Sequence, residues 1–221
     1  SIKAYVEGLR DGIANTEEKK QRYYDALKIR TRDLEDLIDN LSLFSRFDRG
    51  EYHYSMEKID FGVFVNSFFK EHEIEFKNNH LTLVRTVWEE NGICIQGDRQ
   101  QLKRVLGNLV DNTFKYREKP ETIMTAALYT FGDTLRLELS DDGPGVPEEE
   151  REKIFDTFFR GDKARQNPGN GSGLGLSIVR EIMKGHGGRI WAEDGVGGKG
   201  LKFVLEFPVV RKENSADSEV I

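Results

Sequence analysis

Apolar positions along this chain fall first at helical spacing and later at alternate positions. In residues 1–14, SIKAYVEGLRDGIA, the side chains of Ile2, Tyr5, Val6, Leu9 and Ile13 share one helical face. Asn15 and Thr16 then offer a turn and an N-cap. The stretch to about Phe47 is long and charged. Within it Tyr23, Leu27, Arg30, Leu34, Leu37, Leu41 and Phe44 alternate by three and four, the pattern of a coiled-coil or bundle seam with one charged position. Two antiparallel helices cannot bury two such stripes against each other alone. The pattern therefore predicts a homodimeric four-helix bundle; the alternative is a hairpin packed on the rest of the chain.

Residues 49–60 read as a connector, and the pattern from 61 to 210 mixes helices with strands. The spacing predicts a helix over 63–77, strands at LTLVRTVW (81–88) and ICIQ (93–96), and an amphipathic helix over 98–116. Asp98 with Gln101 three residues on has the spacing of a capping box. TIMTAALY and LRLELS form a hairpin across Gly132-Asp133. Pro147 followed by three glutamates opens another helix. Residues 174–184 form a helix stopped near Gly185 or Gly187. RIWAE and LKFVLEF are the last strands, with Phe203, Leu205 and Phe207 on one face; residues 211–221 read as a frayed tail. No internal repeat is present. Strand pairs mixed with helices, rather than strict βαβ repeats, predict an α+β fold: a two-layer sandwich whose mixed sheet is covered by helices on one face, preceded by the helical hairpin.

Composition narrows the classes. Of 221 residues, 37% are hydrophobic and 10% aromatic, enough for a packed core. The net charge of -6 argues against a nucleic-acid binder. One cysteine, Cys94, excludes an internal disulfide framework or a multi-cysteine zinc site and fits a reducing compartment; its strand position predicts a small core residue rather than a reactive thiol. No apolar run approaches the roughly 18–20 residues that span a bilayer. The chain opens at Ser1 inside a predicted helix, without Met, which reads as a fragment of a longer protein.

Three stretches carry candidate chemistry. On the helix at 98–116, Asn108, Asn112, Lys115 and Tyr116 form a polar stripe beside the apolar face. An amide oxygen suits Mg²⁺, a lysine meets phosphates, and an aromatic ring stacks on a base. Next, LRLELSDDGPGV delivers Asp141 at a strand end, followed by Gly143 and Gly145. Such a carboxylate can accept from an exocyclic amine, while the glycines admit a flat ring close to the backbone. Third, in GNGSGLGLSIV, Gly171, Gly173, Leu174 and Gly175 lie where a loop becomes a helix, a position whose free amides and dipole favour an anion. No Lys-Ser/Thr follows, so this is not a Walker loop, and no strand runs directly into it, so it is not a dinucleotide fingerprint. Upstream, FFRGDKARQNPGN has the composition of a lid with a basic excess.

Taken together, these stretches resemble the sensor histidine kinases, within the wider ATPase superfamily that includes gyrase and the heat-shock chaperone ATPase. NLVDNTFKY is similar to the family's N-box, DDGPGV to its first glycine box, IFDTFFR to its phenylalanine box and GSGLGLSIV to its second glycine box; HGGRIW and GGKGLKF fall where the closing helix turn and third glycine box stand. The resemblance implies that Asn112 holds Mg²⁺, with Asn108 beside it in the same box. It further implies that Lys115 meets phosphates, Tyr116 lines the nucleotide pocket, and Asp141 bonds the adenine amine. The backbone at 171–175 would cradle phosphates and Arg160 would stand at the phosphate end. The first segment is similar to the part of the dimerisation helix just after the phosphoacceptor box. The histidine and acid of that box are absent from this chain: His53, His72 and His80 read as surface residues and His186 as a residue shaping a helix end. Two departures stand out, Leu201 in place of a threonine and Thr113 in place of an alanine.

Hydrolytic members of the superfamily carry a glutamate four residues before the metal asparagine. Asn108 stands there, and an amide is no general base at neutral pH. The resemblance thus implies a kinase core that binds Mg-ATP, passes the γ-phosphate to a histidine outside this chain, and then to an aspartate of a response-regulator partner. It also implies a homodimer forming the cytoplasmic portion of a membrane-anchored sensor, in which this piece alone does not autophosphorylate. Two rivals are a gyrase- or chaperone-type ATP hydrolase and a nucleotide-binding scaffold that signals by conformation alone.

Overall fold

A computed structural model describes residues 2–88, 92–161 and 172–210. The chain divides into two compact units that meet in sequence between Tyr52 and His53, inside the expected connector. In the first unit, α1 (Ile2–Arg10) is shorter than the predicted 1–14 and ends in a turn at Asp11-Gly12. Thr16 caps α2 (Glu17–Asp48), its hydroxyl accepting from the Lys19 N–H. The rings of Tyr5 and Tyr23 meet edge to face with centroids 5.3 Å apart, and a Cβ on Gly8 would lie 2.5 Å from the Tyr23 ring, so α1 covers the start of α2 closely. Farther along, the predicted seam lies open: Leu34, Leu37 and Leu41 are all exposed in the single chain.

The second unit carries two sheets. β1 (Glu57–Asp60) pairs antiparallel with β3 (Cys94–Gly97). β1 falls in the stretch read as connector; only Ile59 of its four residues is buried, too little alternation to mark a strand. The larger sheet is mixed. It runs β2 (Leu81–Trp88), β4 (Thr122–Phe131), β5 (Thr134–Asp141), β7 (Leu201–Pro208), β6 (Arg189–Asp194); β2 is parallel to β4 and the other pairs are antiparallel. The hairpin turns at Gly132-Asp133 as predicted. Leu137 stands between Leu128 and Leu205, and Leu139 between Ala126 and Phe203, so alternate residues of three strands make one apolar face.

Helices supply the layer over that face. α3 (Phe61–Glu71) buries Phe61, Phe64, Val65, Phe68 and Phe69. The predicted helix over 63–77 is two helices, because the chain breaks at His72 before α4 (Glu73–Asn78). The His72 ring tilts against Phe68 at 4.1 Å, so this histidine is half-buried rather than a surface residue. α5 (Arg99–Tyr116) buries Leu102, Val105, Leu106, Leu109, Val110 and Thr113, the predicted face. α6 (Gly175–Gly185) buries Ile178, Val179, Ile182 and Met183. The opposite sheet face carries a polar ladder instead. Tyr129 donates to Glu138 at 2.7 Å, and Lys202 pairs with Glu193 at 2.7 Å and Glu138 at 3.7 Å.

Two further expectations are corrected. The helix expected after Pro147 is only a pair of 3₁₀ turns, Glu148–Glu150 and Lys153–Phe155; Phe155 is the one buried anchor there, too few apolar positions to hold a full amphipathic helix. Cys94 is half-buried at the first position of β3, not a core residue. The tail at 211–221 lies outside the described residues.

Candidate nucleotide site

The site is built around the C-terminal half of α5. Asp98 starts that helix, its Oδ1 accepting from the N–H groups of Gln100 and Gln101 at 3.0 and 3.1 Å. The reciprocal half of a capping box is missing, since the buried Oε1 of Gln101 has no hydrogen-bond partner. About two turns beyond Gln101 the helix presents its polar stripe. Asn108 Nδ2 donates to the Arg104 carbonyl at 3.0 Å. Asn112 is half-buried, and its buried Nδ2 has no partner. Lys115 pairs with Asp111 at 3.7 Å, and both it and Tyr116 are exposed.

The three stretches meet through missing side chains. A Cβ on Gly175, the first residue of α6, would lie 2.8 Å from Asn108 Oδ1, so bare backbone brings the start of α6 against the stripe. A Cβ on Gly143 would lie 2.9 Å from Asp141 Oδ1 and 3.9 Å from the Tyr116 carbonyl, which sets the loop after β5 beside the end of α5. Gly173 has a φ of +72°, and a Cβ there would come within 2.9 Å of the Phe158 backbone. Only glycine meets both demands. Phe158 itself has a φ of +63° and donates its N–H to the Gly173 carbonyl at 2.9 Å.

Asp141 is the electrostatic centre. Its Oδ1 accepts from Gly143 N–H at 2.9 Å and Leu201 N–H at 3.2 Å. Burial pushes its pKa above the ordinary carboxylate value, and those two bonds only partly offset this. The Leu201 contact escaped sequence reasoning, as did Gly200, where any Cβ would overlap the Asp141 carbonyl. The signal was the glycine pair in GGKGLKF. The Leu201 side chain itself is buried with the core face of β7, so only its backbone reaches the carboxylate.

The remaining predicted residues are placed as follows. Leu174 caps α6 with its side chain wholly buried, and its N–H meets the Ser172 hydroxyl at 3.3 Å, so only its backbone faces outward from the core. Arg160 is half-buried. Gly145 packs on the third glycine box, where its Cβ would lie 2.8 Å from the Gly200 carbonyl. Gly171 and residues 162–170 of the expected lid lie outside the described residues. His186 caps the C-terminus of α6, the part expected of it, while His53 and His80 are exposed.

Residues 97–211 match the family described as histidine kinase-, DNA gyrase B- and HSP90-like ATPase, which covers more than half of the chain. The chain belongs to this ATPase family. It is 29% identical over 218 residues to the sensor histidine kinase WalK of Bacillus subtilis, a match over 98% of this chain and 35% of the relative. Against the sensor protein kinase WalK of Staphylococcus aureus, identity is 30% over 212 residues, covering 94% and 49%. The chain therefore spans about a third to a half of these relatives. Among solved structures, the catalytic domain of histidine kinase ThkA is 27% identical with a TM-score of 0.59, over 70% of this chain and 97% of that one. The Acinetobacter baumannii histidine kinase AdeS shares the fold over 95% and 94% at a TM-score of 0.71 and 21% identity. This chain thus carries the ATPase catalytic domain of a histidine kinase, preceded by a helical segment.

Proposed function

We propose that this chain is the catalytic core of a two-component sensor histidine kinase that binds Mg-ATP. The observation that carries the reading is Asp141: a half-buried carboxylate with one oxygen held by two backbone N–H groups, and the other without a protein donor among the described residues. It calls for a ligand donor, which the exocyclic amine of adenine supplies. Tyr116 and the bare Gly143 backbone flank the base. The triphosphate runs toward the N-terminus of α6, where the first-turn amides lack intrahelical partners.

Asn112 would hold a divalent cation through its amide oxygen, the hard ligand such an ion takes, while its buried Nδ2, a donor with no protein partner, suits a phosphate oxygen of the same ligand. Magnesium keeps most of its waters and needs only one or two protein oxygens. When bound, it neutralises developing charge on the phosphates. Lys115 leaves its exposed pairing with Asp111 for the phosphates. In the reaction, an imidazole nitrogen attacks the γ-phosphorus, the bridging P–O bond breaks and ADP departs. The phosphoryl group then moves to a carboxylate of a response-regulator receiver domain, in line with the solved complex of histidine kinase ThkA with the response regulator TrrA. Asn108 is bound to the Arg104 carbonyl and cannot serve as a base for water, so hydrolysis stays slow. The acceptor histidine lies outside this chain, and this piece alone does not autophosphorylate.

The open seam of α2 supports homodimerisation, and the segment is read as the cytoplasmic part of a membrane-anchored sensor. No helix among the described residues is long and apolar enough to cross a membrane. Replacing Leu37 and Leu41 with glutamate shifts the chain to monomer in sedimentation, with affinity for its copy falling at least about tenfold. The site reading is tested by titrating a non-hydrolysable ATP analogue with and without Mg²⁺. Asn112→Ala removes the metal-dependent part of the affinity, about tenfold; an unchanged metal dependence discards the assignment. Substantial ATP turnover by the chain favours the hydrolase reading instead.

A further inference from the structure

His186 belongs to a cluster remote from the stripe of α5. Its Nε2 accepts the Asp98 N–H at 2.9 Å, which leaves the proton on Nδ1, donated to the Ile182 carbonyl at 2.7 Å. This bond joins the C-terminal cap of α6 to the N-terminal cap of α5. Both residues are buried. The segment that enters the second unit is bound to both caps. Ser55 N–H donates to Asp98 Oδ2 at 3.0 Å, and Tyr54 donates its hydroxyl to the Glu181 carbonyl at 3.3 Å. The Tyr54 ring meets His186 edge-on at 5.2 Å and occupies the space that a Cβ on Gly185 would need.

The same two helices meet at the candidate site, where Gly175 opens α6 against Asn108. From Asp98 to Asn112, α5 spans about 20 Å. A single contact would suffice to hold the segment down. Here Ser55 is tied to α5 and Tyr54 to α6, so the segment straddles the helix pair. We infer that Tyr54, Ser55, Asp98 and His186 form a latch that couples the seating of residues 54–55 to nucleotide occupancy at the other end of α5 and α6. The inference rests on the nucleotide reading above. A ligand that adjusts α6 against α5 at one end alters both latch contacts at the other. By reciprocity, loosening the latch changes nucleotide affinity by the factor by which nucleotide changes latch opening.

The test is amide exchange at Ser55 by NMR in the full chain, with and without a non-hydrolysable ATP analogue and Mg²⁺. In the unaltered chain, nucleotide changes the Ser55 exchange rate several-fold, in the range of typical coupling energies. Gly185→Ala puts a methyl group where the Tyr54 ring lies, while alanine favours the helix it joins, so the protein stays folded. It accelerates Ser55 exchange by about tenfold and abolishes the response to nucleotide. Tyr54→Phe, which loses only the hydroxyl bond, gives a smaller change of the same sign. Analogue binding with Ser55 exchange unmoved overturns the latch and leaves the nucleotide reading standing. Failure of the analogue to bind overturns the nucleotide reading, and the latch with it.

Discussion

Two aspartates flank α5, and they are built differently. At the start, Asp98 is buried and fully engaged: Oδ1 takes two helix N–H groups, Oδ2 takes Ser55, and its own N–H goes to His186. At the far end, Asp141 also spends one oxygen on two backbone N–H groups, but the described residues give its other oxygen no donor. Partial burial raises its pKa, and the two backbone bonds relieve that cost only in part. A saturated buried acid is architecture. A half-buried, unsaturated one beside bare glycine backbone is, in the proposed reading, a receptor for a donor that comes from outside.

The comparison predicts opposite consequences for the two sites. The largest is at Asp98: Asp98→Ala strips partners from Gln100, Gln101 and Ser55, costing about 3 kcal/mol of stability measured by denaturant unfolding. Next, Asp141→Asn keeps an oxygen for Gly143 and Leu201 and removes the strained charge. The unfolding temperature stays level or rises, while affinity for an adenine nucleotide falls by about tenfold to a hundredfold. A drop in stability comparable to that of Asp98→Ala would mean that Asp141 is structural too. The smallest effect is a pH dependence. Burial lowers the pKa of His186, faced by Asp98 and Tyr54, below its ordinary 6.5. The unfolded chain therefore takes up a proton there before the folded one does. Stability declines as pH falls below about 6.5, and His186→Gln flattens that part of the profile.

Much of this arrangement was legible in residue order. The alternation in LRLELS and LKFVLEF gave the sheet face, and the stripe on α5 followed from helical spacing. What escaped has physical reasons. His72 breaks a helix without glycine or proline, because aromatic packing around Phe68 and Phe76 sets the bend. Glu148–Glu150 looked like a helix start, yet only Phe155 follows to be buried. The third glycine box contributes through the backbone of Leu201 and the missing side chain of Gly200, which only three-dimensional closeness to Asp141 reveals. Equally, residue order marks Asp98 as a helix cap and Asp141 as a strand-end carboxylate, but not how many N–H groups the fold directs at each.

The most direct test compares the affinities of a non-hydrolysable ATP analogue and the matching inosine nucleotide, which lacks the exocyclic amine, in the unaltered chain and in Asp141→Asn, by calorimetry with Mg²⁺ present. The account predicts tighter binding of the adenine nucleotide by about tenfold or more, with that preference lost in the variant. Equal affinities in the unaltered chain, or a preference that survives Asp141→Asn, would contradict it.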